Sequence, residues 1–145
     1  MSNTSPVENL HYALGELAYA VARSGGQLKG LDRQKFHDCV AAEIGLGDSD
    51  FDLSEIIFQV LDKEGLETNI AYEWAMREMR LNSHYLSPAL KKTFLSVMEK
   101  VAQTFHTVTE VGPNIVDRFR KDLKSIHGDP IYYTPVTRQH LPKQP

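Results

Sequence analysis

Asp48, Asp50 and Asp52 alternate along the chain, and carboxylates at every second position are how a calcium-binding loop begins. Such a loop also needs glycine at its sixth position and a bidentate glutamate at its twelfth. Counted from Asp48, those places hold Leu53 and Gln59. The plainer reading is an acidic segment that opens a helix, with Asp52 as N-cap and Glu55 three residues on. His37-Asp38-Cys39 offers two soft metal ligands, but two residues apart on a helix they face different ways. Cys39 shares the apolar side with Phe36 and Val40, so it reads as a buried thiol rather than a nucleophile. The six histidines are scattered without the spacing of a ligand pair. Gly45-Leu46-Gly47 lacks the third glycine of a dinucleotide fingerprint and runs into acids that repel phosphate. These residues assign no catalytic group and call for no cofactor.

The elements that position these residues read as helices, because apolar residues recur at helical spacing and strand patterns are nearly absent. A first helix is expected from Val7 to Arg23, with Leu10, Leu14, Leu17 and Val21 on one face and Gly25-Gly26 as its stop. A second runs from Leu31 to Ile44 and carries Phe36, Cys39, Val40 and Ile44. A third starts at Asp52, takes Leu53, Ile56, Ile57, Val60 and Leu61 as its core face, and ends at Gly65. A fourth spans Thr68 to Asn82. The fifth opens at Ser87-Pro88, with Leu90, Phe94, Val97, Met98, Val101 and Phe105 on its apolar face. The sixth opens at Gly112-Pro113 and carries Ile115, Val116, Phe119, Leu123 and Ile126. The expected organisation is a flexible N-terminus over 1–6, a helical domain over 7–127 and an irregular tail over 128–145. Pro130, Pro135, Pro142 and Pro145 stop any helix in that tail.

The bulk numbers narrow the function. A chain of 145 residues with 41% hydrophobic residues can bury its own core as one domain. A net charge of -3, with Lys91-Lys92 as the densest basic spot, is not the footprint of a nucleic-acid binder. No apolar run is long enough to insert into a membrane, and nothing resembles a signal peptide. With one cysteine no intrachain disulfide can form, which fits the cytoplasm.

A weak repeat links the two ends of the chain. Ala20-Val21-Ala22-Arg23 leads through Gly25-Gly26-Gln27-Leu28 to a helix with Phe36. Val101-Ala102-Gln103 leads through Phe105-His106-Thr107-Val108 to a helix with Phe119. With Leu14-Gly15-Glu16-Leu17-Ala18-Tyr19-Ala20-Val21-Ala22 before Gly26-Gln27-Leu28, the chain resembles the TerB-like family, named for tellurite-resistance proteins. The likeness covers most of residues 8 to 126. It implies an all-α, compact bundle of six or seven helices with a pseudo-two-fold hairpin repeat. Family members carry acidic turns that resemble ligands for a divalent cation. Here Gly25 and Gln27 stand at those places in the first half, Phe105 and Thr107 in the second, and Gly112 near a later one. Only Asp32 keeps an acid in the following helix. A hard cation wants several oxygen ligands, so no metal site is assigned and Asp32 is a weak candidate alone.

The expected role is thus a non-catalytic interaction or regulatory module, tied by resemblance to stress or tellurite resistance. A retained divalent-cation site through Asp32 and a small helical hydrolase or lyase are the alternatives. The expected partner is another protein or a second copy. The first and fourth helices are apolar on more than one side. Either they lie in the middle of the domain or one stripe is exposed to a partner. Tyr12 and Tyr19 on the first helix form one candidate surface. Tyr132 and Tyr133 in the tail form another, with Ile131 to Val136 expected to dock on the Tyr12 and Tyr19 face.

Overall fold

The computed structural model describes residues 5–24, 32–44, 50–105 and 111–127. Six helices account for most of them: α1 (Pro6–Ser24), α2 (Asp32–Ile44), α3 (Asp50–Glu64), α4 (Thr68–Leu81), α5 (Pro88–Thr104) and α6 (Val111–Lys124). A single 3-10 turn, Ser83–Tyr85, joins α4 to α5. Among the described residues there is no strand. The all-α class expected from periodicity is the observed one.

Local signals start and stop these helices. Ser5 and Glu8 cap α1 reciprocally: the Glu8 amide donates to Ser5 Oγ at 3.1 Å and the Ser5 amide to Glu8 Oε1 at 2.9 Å. This is a capping box, so α1 begins at Pro6 and residues 5 and 6 belong to the helix start. Ser87 caps α5 by accepting from the Leu90 amide at 3.0 Å, with Pro88 at the first helical position. Gly65, at φ 66°, ends α3. There the Leu66 and Gly65 amides turn back to the Leu61 and Asp62 carbonyls, a Schellman stop.

α1 is the central helix. It packs most extensively on α4 and α3, and further on α5 and α6. Leu10, Leu14, Leu17 and Val21 are fully buried, but so are Ala13, Ala18, Tyr19 and Ala20 on the other sides. The alternation of small and large side chains lets neighbours close in all round. At Gly15 the approach is closest. A Cβ there would overlap Ile57 Cγ2 and the Ser54 carbonyl oxygen and stand 3.0 Å from Ser54 Cα. Ser54 Oγ also donates to the His11 carbonyl at 2.5 Å, fixing α3 on α1.

That crossing rotates α3 away from the expected orientation. Its buried residues are Ser54, Glu55, Phe58 and Leu61, with Ile57 partly buried. Ile56 and Val60, expected in the core, are 49% and 40% exposed. Phe58 instead fills the space between α1 and α2, stacked on Phe36 at 4.8 Å and edge-on to Tyr19 at 6.2 Å. Asp52, expected as the N-cap, lies two residues inside the helix. Glu55 does not close a capping box either, since its Oε2 lies 2.6 Å from His37 Nδ1 on α2.

α5 and α6 complete the core with Phe94, Val97, Met98, Val101, Val116, Phe119 and Leu123, joined by Ile126 just after α6, all of them buried. α6 is tied to α4 by a polar cluster. Tyr72 donates to Asp122 Oδ2 at 2.6 Å, and Arg118 lies 4.1 Å from the Tyr72 ring centroid. Burial and the Asp122 carboxylate push the Tyr72 phenol well above its ordinary range. α1 packs on α6 and α2 on α5, the pairings a two-fold would exchange. The dense packing of α1 on α3 and α4 has no comparable counterpart at α5 among the described residues.

Candidate interaction surfaces

Tyr19 is fully buried and presents no surface. Its hydroxyl donates to the Leu66 carbonyl at 2.6 Å and accepts from Arg23 at 2.7 Å. The ring fills the core beside Phe58, while the hydroxyl satisfies the turn after α3. Tyr12 is half-buried on the same helix. Tyr19 is therefore packed within the bundle, whereas Tyr12 keeps part of its surface. Tyr132, Tyr133 and the Ile131 to Val136 segment lie outside the described residues. Replacing Tyr19 by Phe should cost about 1–2 kcal/mol, because a buried hydroxyl that bridges two elements is lost. A urea titration should show a lower midpoint with an unchanged slope. An unchanged midpoint would mean that the hydroxyl does not hold the turn.

α4 divides its apolar residues as a two-faced helix would. Tyr72, Met76 and Met79 are buried with Ala71 and Ala75. Ile70, Trp74 and Leu81 are 43%, 46% and 68% exposed. At positions i, i+4 and i+11 they form one stripe about 16 Å long at 1.5 Å per residue. Arg77 and Arg80 are exposed on the same helix. Glu73 and Arg77, four apart on α4, do not pair with each other. Arg118 of α6 takes Glu73 instead, at 2.6 Å. Among the described residues neither Arg77 nor Arg80 enters an ion pair.

A polar seam joins α1 to the C-terminal end of α4. Asn9 donates to Asn82 Oδ1 at 3.3 Å, and Asn82 donates to the Glu78 carbonyl at 2.8 Å. Glu16 has a buried Oε1 that makes no hydrogen bond among the described residues. Burial first, and then the Glu78 carboxylate, push its carboxyl from an ordinary 4.5 to about 7. Periodicity alone could not find Glu16, because it occupies an ordinary polar position on the helix.

A second surface is a groove of about 310 Å³ between α5 and α6. Leu95 and Leu123 form its floor, and Lys91, Lys92, Arg120 and Lys124 line its rim. Lys91 Nζ donates to the Ile126 carbonyl, and partial burial lowers its pKa. Arg120 is held by Glu99 at 2.7 Å and Asp117 at 2.6 Å, which raises its pKa.

Of the described residues singled out for chemistry, His37 and Glu55 meet at 2.6 Å. Cys39 is buried, and its thiol donates to Thr104 Oγ1 at 3.3 Å. Asp32 opens α2, but its side chain lies outside the described residues, as do Asp48, Gly25, Gln27 and Thr107. Phe105 stands where the resemblance places an acid, and it packs on Phe58 at 5.9 Å. Among the described residues no three His, Cys, Asp or Glu side chains could together hold a metal ion. None of the described helices is long and apolar enough to cross a membrane. Among the described residues, fold and surfaces define an all-helical bundle with exposed apolar residues on α3 and α4 and a basic groove between α5 and α6. No family model, curated protein or solved structure matches the chain.

Proposed function

We propose that this protein is a non-catalytic interaction module of the TerB-like type, and that it engages a helix of a partner protein through α4. The observation that carries the reading is the exposed stripe Ile70, Trp74 and Leu81 beside Arg77 and Arg80. Large apolar side chains with arginine nearby are the residue types on which protein interfaces concentrate their affinity. Three turns of exposed helix suit a second helix, packed side by side, with apolar residues at matching spacing. The two arginines favour one that carries acids alongside. Phe105 at the position of a family acid supports a module without the family's cation site. A place in stress or tellurite resistance rests on the resemblance alone. Tellurite reduction would want a reactive thiol, whereas Cys39 is buried.

Trp74 is the chain's single tryptophan, so its fluorescence reports on this surface. The free protein should emit as a solvent-exposed indole and shift to the blue when the partner helix binds. The triple variant Ile70→Ser, Trp74→Ser, Leu81→Ser should lose a partner recovered from the native cell. Because the side chains are exposed, its stability should change by only about 0.5 kcal/mol per site. A partner retained at full strength by a folded triple variant would refute the α4 surface.

A further inference from the structure

We propose that the chain assembles head to tail, with α3 of one copy seated in the α5–α6 groove of the next. Two surfaces of the same molecule carry complementary chemistry. On α3, Asp52, Ile56, Val60 and Glu64 recur every four residues and are all exposed. Steps of four drift by about 40° each, so the four side chains stay within one broad face, acids at its ends and aliphatics between. The groove has the inverse pattern. Its floor is aliphatic, Leu95 and Leu123, and its rim carries Lys91, Lys92 and Lys124, beside an Arg120 already paired with Glu99 and Asp117. A groove of about 310 Å³ takes aliphatic side chains such as Ile56 and Val60.

The charge is divided in the same sense. α3 carries five acids, Asp50, Asp52, Glu55, Asp62 and Glu64, against Lys63, for a net of -4. α5 and α6 together carry seven Lys and Arg against Glu99, Asp117 and Asp122, for a net of +4. Such a separation is invisible in the whole-chain charge of -3. It steers a second copy toward one orientation and opposes pairing of like faces. Within one copy α3 packs on α1 and α2, while its stripe stays in solvent. The stripe is therefore available to another molecule. Because the two surfaces differ, the contact is heterologous and repeats into a ring or an open chain.

Sedimentation velocity from micromolar to millimolar protein tests this at low and high salt. The wild-type mass should rise with concentration above the 16.4 kDa of one chain, and less so in high salt. Ile56→Ser with Val60→Ser disables the stripe, and Lys92→Glu with Lys124→Glu disables the groove. Each double variant alters exposed residues, so a helical spectrum and a normal melt should accompany it. Each should weaken association roughly tenfold or more. Mixed together, the two variants should form a one-to-one complex and nothing larger, since one keeps the groove and the other the stripe. The α4 triple variant should assemble as wild type does, which separates this contact from the proposed partner surface. A wild-type protein that stays at 16.4 kDa throughout would overturn the proposal. So would association that both variants leave intact, or a mixture that fails to pair.

Discussion

Replacing Gly15 by Ala should lower the melting temperature by roughly 5–8 °C for a chain of this size, a loss of about 2 kcal/mol. In an open helix the same change stabilises, by about 1 kcal/mol relative to glycine. The sign reverses here because the new methyl would fall on Ile57 Cγ2 and on the Ser54 carbonyl oxygen. Ile57 can turn aside, but Ser54 is backbone of α3, so the two helices must move apart. Separation also stretches the bond from Ser54 Oγ to the His11 carbonyl. Forced repacking of this kind costs about 1–3 kcal/mol and outweighs the propensity gain when a backbone atom is struck. Pairing Gly15→Ala with Ile57→Ala should not restore stability, since the Ser54 carbonyl remains. Thermal melts of both variants decide the point. A rise in melting temperature for Gly15→Ala would mean that α1 and α3 do not cross so closely.

Stability should fall as pH rises from 5 to 8, through one carboxyl. Glu16 binds its proton more tightly in the folded state, at about 7, than at the ordinary 4.5 of an unfolded chain. A carboxyl raised on folding favours the folded state fully below the unfolded value. That advantage disappears as pH climbs through 7, where folding must accommodate a charge beside Glu78 in a partly dry seam. The loss across this window is on the order of 1–3 kcal/mol, reduced from the full shift by partial access to water. Glu16→Gln keeps the shape and removes the titration. Its stability should be nearly flat in the same window and exceed wild type at pH 8. The wild-type-minus-variant difference in unfolding free energy isolates Glu16 from the histidines. An identical pH slope in the two proteins would show that Glu16 is not the group responsible.

Helix class and most helix ends were legible because they depend on local chemistry. Period, capping and glycine act over a few residues, so Ser87-Pro88 started α5 and Gly65 stopped α3 as expected. Ser5 to Glu8 carried an equally local capping signal, and reading it would have placed the start of α1 at Pro6. One-faced helices were legible too. The apolar faces of α5 and α6 point inward as their spacing requires, because each has a single stripe to bury.

Only the tertiary structure decided between faces that are equally apolar. On α3 the residues from Leu53 to Leu61 offer two aliphatic choices, and spacing favours neither. The close crossing at Gly15 sets the rotation, turning Ser54, Ile57 and Phe58 inward and leaving Ile56 and Val60 in solvent. α4 shows the same division. Its small residues Ala71 and Ala75 and its flexible Met76 and Met79 are buried on the side that packs in the bundle, while Trp74, on another side of the helix, faces outward. Tyr19 and Tyr12 look alike along α1, yet one reaches the Leu66 carbonyl from within the core and the other stays half-buried. A sequence specifies which residues are apolar. Which of them meet water depends on how closely the neighbouring backbones approach, and that is a property of helix pairs rather than of any one helix.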